Sequence, residues 1–461
     1  MLFNSLPFLY FFLPITYFVF WSLTTKRARY VWLTITGYAF YSFWNYQFCA
    51  LMALSTAVSY FAGLGFLRWQ HPRARRTCLV VPIVFDLLLL CVFKYANFAL
   101  GTLHRLALAS HVPLNVPSFD IILPVGISFY TFHTITYIVD SYRRTITPTR
   151  NFFEFSCYVS LFSQLVAGPI VRFREIENDL EHIDRPDARA LLEKGWSFFT
   201  LGLAKKVILA DTIAIAINPG LSDWRGLSTA GAWICMLGYT YQLYFDFSGY
   251  SDMAAGLGMM FGLRLPQNFN TPYKALDIAD FWRRWLISLS AVLRDYLYIA
   301  LGGNRHGEKR TYRNLMITML LGGLWHGANW TFVIWGGYHG LLLSLTRLYG
   351  VRIERWRKEL RAGLTFFLVV IGWVLFRATS FTMALGLIRK MFLPAAGVRP
   401  ASWLLLPALL LAAVLAHFGP NTFELEHRWR PPMRLALVVL FALCLAVIYG
   451  GQQTPFLYYQ F

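Results

Sequence analysis

The sequence predicts an all-α polytopic membrane protein. Hydrophobic residues make up 57% of the 461 and charged residues only 14%. Apolar runs of membrane-spanning length recur from end to end, and the short loops between them are rich in Lys and Arg. In lipid every backbone N–H and C=O must be satisfied inside its own segment, so such runs default to helices. The formal charge of +19 would suggest nucleic acid in a soluble protein. Here the cations lie between apolar runs, the pattern of the positive-inside bias. Such a surface also attracts anionic lipid or a phosphate-bearing donor. The chain reads as one membrane domain, 1–461, without a soluble appendage.

The first stretch, MLFNSLPFLYFFLPITYFVFWSL, has no basic leader and no clear cleavage site, so it is expected to stay as the first span. Further apolar segments follow at 31–46, 48–67, 78–100, 119–139, 153–170 and 195–219. The segment 229–262 is too long for one span and holds YFDFSGYSDMAAG at its middle, where a break into two helices, or into a span plus a partial one, is expected. After it come 314–325, 328–346, 363–383, 402–418 and 433–451. This amounts to about 11–13 helical segments crossing or entering the membrane. Between them, DFWRRWLISLSAVLRDYLYI (280–299) places Trp282, Trp285, Leu286, Leu289, Leu293, Tyr296 and Leu297 at helical spacing. A helix lying at the membrane surface, or packed under the bundle, is expected there.

The loops orient the chain. TTKRARY (24–30) and RWQHPRARR (68–76) are basic and should be cytoplasmic, which puts Met1 outside. The stretches 141–150, 171–194, 264–313 and 347–363 should face the cytoplasm as well. Segment 314–346 therefore enters and returns as two short helices of about 12–18 residues, roughly 18–27 Å each. His326-Gly327 falls at the turn, at depth, where a polar tip needs a protein-lined or water-filled cavity.

His326 is the leading candidate. A neutral imidazole can take a proton from a hydroxyl near pH 7. The bland alternative is a histidine satisfied by neighbouring carbonyls. Asn329, three residues on, could orient the ring or donate to an oxyanion. Trp325 and His339 are possible supports, and His339 reads more readily as structural. His133 reads as a packing histidine. Asp246 and Asp252 need partners at depth. They could line a polar path, or belong to a helix break whose side chains cap freed backbone groups. Arg283, Arg284, Arg294 and Arg305 form a donor-side basic surface. The LGGNR turn (301–305) lacks the P-loop pattern. The six cysteines, at 49, 78, 91, 157, 235 and 444, have neither metal-ligand spacing nor a disulfide pattern. No metal is expected.

Four blocks in order, LVAGPIVRFREI (165–176), QLYFDFSGYSDMAAGLGMMFGLRLPQNFNTPY (242–273), DFWRRWLISLSAVLRDYLYIALGGNR (280–305) and GGLWHGANWTFVIWGGYHG (322–340), resemble the membrane-bound O-acyltransferase family. The chain is most similar to its alginate O-acetyltransferase branch. The resemblance implies a ring of helices around a thinned centre with a tunnel, in the bacterial inner membrane and reached from both sides. It implies no resident cofactor. Acetyl-CoA would be the cytoplasmic donor, and an exopolysaccharide such as alginate or cellulose the acceptor, directly or through a periplasmic acetyltransferase partner. The family's essential histidine maps onto His326. Its other prominent histidine follows FWRRW, where this chain has Leu286, so no role is carried onto that position. Rival readings are a D-alanyl transferase of the teichoic-acid type, a transporter of donor or polymer, and a non-catalytic scaffold.

Overall fold

The computed structural model describes residues 1–112, 117, 119–166, 168–184, 188–400, 402–451 and 454–457. They form helices throughout, with no strand among the described residues beyond one isolated bridge between Leu227 and Val398. The chain packs as two compact units. One comprises Met1–Leu2, Pro7–Asp187 and Phe261–Leu265; the other comprises Phe3–Leu6, Ala188–Met260 and Pro266–Phe461.

The first unit holds α1 (Leu13–Ser22), α2 (Lys26–Ser42), α3 (Phe48–Arg68), α4 (Pro72–Leu90), α5 (Ala96–Ala109), α6 (Ile127–Arg143), α7 (Phe152–Ser160) and α8 (Phe173–Glu181). A π-helical turn, Cys91–Tyr95, joins α4 to α5 in one run. The described residues of 161–166 and 168–172 are irregular yet buried, which is tolerated at depth only inside protein. In the interior Asp86 accepts hydrogen bonds from Ser55 and Thr134 hydroxyls, each at 2.6 Å.

The second unit holds α9 (Ala188–Ala204), α10 (Asp211–Ser222), α11 (Thr229–Met260), α12 (Ile278–Arg284), α13 (Ile287–Val292), α14 (Glu308–His326), α15 (Trp330–Ile353), α16 (Lys358–Arg377), α17 (Phe381–Phe392), α18 (Leu405–His417) and α19 (Pro431–Tyr449). Among the described residues, four helical runs are long and apolar enough to cross a membrane: Phe48–Arg68, Pro72–Ala109, Lys358–Arg377 and Pro431–Tyr449. Each unit contains two of them.

Three expectations need correction. Segment 229–262 does not break: α11 is one helix of 32 residues, about 48 Å long. Its polar middle survives because Asp246 and Asp252 meet lysines from the neighbouring chain segment instead of capping a gap. Segment 280–299 is not one helix. It breaks between α12 and α13 at Leu286, which sits in the left-handed region at φ 43°. The carbonyl of Asn268 takes the Ile287 N–H at 2.9 Å, and the Asn268 side chain takes the Ser288 hydroxyl at 2.8 Å, so loop contacts hold the kink. Finally, the two hairpin helices are 19 and 24 residues long, longer than their apolar runs. Lys309, Arg310, Arg347 and Arg352 continue them as good helix formers.

Candidate active site

The site is built on the α14–α15 hairpin, whose helices touch at glycine. A Cβ on Gly323 would lie 2.2 Å from the Phe332 carbonyl oxygen, and one on Gly336 would lie 2.2 Å from that of Met319. Only hydrogen fits at either place, so backbone packs on backbone up to the turn. α14 ends at His326, and Asn329 caps α15. The Asn329 carboxamide oxygen accepts the Thr331 N–H at 3.2 Å, and its amide donates to the Thr379 carbonyl at 3.1 Å. Both ends of that side chain therefore fix the turn and tie it to the end of α16.

His326 is 3% exposed. Three rings meet its imidazole edge-on: Trp325 at 5.0 Å, Trp335 at 5.2 Å and Phe376 at 5.4 Å between centroids. Trp335 also touches His339, at 5.0 Å, so two imidazoles flank one indole. His339 is fully buried, and its Nδ1 accepts the Trp282 indole N–H at 3.3 Å. Its Nε2 lies against Gly372, where a Cβ would come within 2.9 Å. The aromatic column continues through Trp373, stacked on Trp335 at 5.8 Å, to Trp285 at 4.8 Å and Tyr273. Leu286 follows Trp285 directly, so the left-handed break sits at the end of this column.

The structure thus brings together His326, Trp325, Asn329 and His339. It places the other candidates in different company. Asp246 pairs with Lys206 at 2.6 Å and accepts the Leu457 N–H at 2.9 Å; Lys206 also pairs with Asp211 at 2.8 Å. Asp252 pairs with Lys205 at 2.6 Å and accepts the Thr422 hydroxyl at 2.6 Å. Lys205, Lys206 and Asp211 were missed by sequence reading, although AKKVILAD inside the apolar run 195–219 was a visible signal. Arg284 pairs with Asp280 at 3.0 Å, and Arg283 lies 3.9 Å from the same carboxylate. Arg294 pairs with Asp295 at 2.7 Å, which holds its guanidinium above the ordinary arginine range, the Asp295 hydrogen bond outweighing partial burial. Arg305 is exposed. Among the described residues no group of three or more His, Cys, Asp or Glu side chains is arranged to hold a metal ion. The described cysteines are all free thiols.

A helical, multi-pass membrane protein with a buried imidazole at a hairpin turn is the class that fold and site define. The chain belongs to the membrane-bound O-acyltransferase family, whose profile matches residues 117–386. It is therefore an O-acyltransferase. It is 44% identical over 394 residues to the protein of Pseudomonas aeruginosa named "Probable alginate O-acetylase AlgI", covering 85% of this chain and 75% of that one. The Pseudomonas putida protein of the same name is 39% identical over 491 residues and the full length of both. The peptidoglycan O-acetyltransferase of Helicobacter pylori is 37% identical over 428 residues, covering 85% of this chain and 80% of that one.

Proposed function

We propose that this enzyme moves an acetyl group from a cytoplasmic thioester, acetyl-CoA, across the bacterial inner membrane to hydroxyls of an alginate-type exopolysaccharide. Transfer is direct or runs through a periplasmic acetyltransferase partner. The observation that carries the reading is the position of His326. It ends α14 at the hairpin turn, while the basic residues of α14 and α15 lie at the opposite ends of the same two helices. A donor attracted to the basic ends and an acceptor reaching the turn then meet at one imidazole. Similarity to alginate and peptidoglycan O-acetylases supports acetyl as the acyl group and polysaccharide as the acceptor.

In this reading His326 takes the proton of the acceptor hydroxyl as its oxygen attacks the thioester carbonyl carbon. The C–O ester bond forms, the C–S bond breaks, and the imidazolium returns its proton to the departing thiolate. Such general base catalysis contributes about 10²–10⁴-fold in rate. Asn329 acts as a positioning residue by fixing the turn, and Trp335 keeps the ring from swinging. His339, held by Trp282, buttresses that indole from its other side.

The test is incorporation of labelled acetyl from acetyl-CoA into a polyuronate by purified protein. His326→Ala at normal membrane abundance should lose transfer, and a retained rate would overturn the assignment. Offering an aminoacyl carrier protein in parallel separates this activity from D-alanyl transfer. Polymer export without acetylation would favour a transporter.

A further inference from the structure

A groove of about 810 Å³ runs along α17. Asn329 at the turn holds the Thr379 carbonyl, and Phe381 and Thr382, two and three residues further, line the groove. Its other wall is the Trp224 turn; Arg389 and Lys390 line it further along α17, and Leu393, Pro394 and Ala395 follow them. No acidic residue lines it. We infer that this groove is a docking site for an anionic polysaccharide, which it feeds to His326.

Three features fit that occupant. First, the walls are firm. Lys390 donates to the Leu227 carbonyl at 2.7 Å and Thr229 donates to the Leu393 carbonyl at 2.9 Å, so the Trp224 turn is tied to α17 and the segment after it. α17 buries Met383, Ala384, Leu387 and Met391, which leaves its opposite face to the groove. Second, the charge is positive and available. Arg389 is exposed, and the Arg225 guanidinium lies 4.8 Å over the Trp224 ring, keeping a second cation at the rim. Sugar carboxylates spaced along a polymer would meet these guanidinium groups in forked, charge-assisted hydrogen bonds. Third, the lining mixes aromatic and aliphatic groups with cations, which suits the apolar faces of sugar rings between their carboxylates. The groove lies at the turn end of the hairpin, away from the basic helix ends assigned to the donor. The choice of polymer rests on the proposed acetylation, whereas the groove's position and charge do not.

Binding of a short fluorescent oligouronate to purified protein in detergent tests this without requiring turnover. The wild type should bind it, more weakly as salt rises, and should not bind a neutral oligoglucan of equal length. Arg389→Glu should weaken binding roughly tenfold or more, and Arg389→Lys should recover part of it. In transfer assays the same reversal should raise KM for polymer more than it lowers kcat. Unchanged oligouronate affinity in Arg389→Glu overturns the site. So does displacement of the probe by nanodiscs of anionic but not neutral phospholipid, which would make the groove a lipid site. Oligouronate binding in a protein that transfers acetyl from no thioester would sink the proposed function and leave the docking site standing.

Discussion

Two buried polar centres in the second unit invite comparison. Around Lys206, the Asp211 and Asp246 carboxylates close on one ammonium, while the Thr454 hydroxyl donates to Asp211 and the Leu457 N–H donates to Asp246. Around His326 the neighbours are aromatic rings. The first arrangement is what a low-dielectric interior demands of permanent charges. The second surrounds a group that can be neutral, which in the proposed reading takes up and returns a proton. Paired charge ties chain segments together here, and in the proposed reading the imidazole at the turn carries the chemistry.

Four perturbations would break or sharpen that contrast. The largest effect is expected from His326→Ala: acetyl transfer down about 10²–10⁴-fold, with thermal stability changed far less. Equal losses of stability and rate would erase the distinction. Lys206→Met should do the opposite. Leaving two buried carboxylates without their cation costs about 3–5 kcal/mol, read as a lower unfolding temperature and lower membrane abundance. Residual folded protein should keep its kcat, and a selective loss of kcat would move Lys206 into the chemistry. Gly336→Val tests whether the turn depends on backbone contact. Overpacking against the Met319 carbonyl should cost about 1–3 kcal/mol and lower the rate by displacing His326. The smallest effect is expected from Leu286→His. A left-handed backbone costs a leucine roughly 1–2 kcal/mol, and histidine is among the residues enriched there. Leu286 is buried, so lost apolar burial offsets that gain and the unfolding temperature should change little. A simultaneous gain in rate would show that an imidazole at this break joins the site, and an unchanged rate would show that His326 works alone.

Much of the fold was readable in advance. Apolar runs located most helices because burial in lipid leaves few alternatives to a helix. The hairpin was readable too, since a polar turn between two basic flanks has few placements. Helix ends were less so, because Lys and Arg extend a helix beyond its apolar stretch at little cost. The site was half legible. His326 stood out as a rare ionisable group in an apolar run, but the Asp246 and Asp252 partners did not, because pairing lies 40 to 47 positions away in the chain.

The sequence by itself determined that this chain is a many-helix membrane protein with an imidazole at a turn. Those properties follow from local hydropathy and charge, which each segment carries alone. Only the tertiary structure decided that α11 runs unbroken, that Leu286 bends the chain, that Asn329 is spent on the turn, and that a groove lined by Arg389 and Lys390 runs along α17. Each depends on a partner far along the chain, and no local pattern encodes which distant side chain will satisfy a buried polar group.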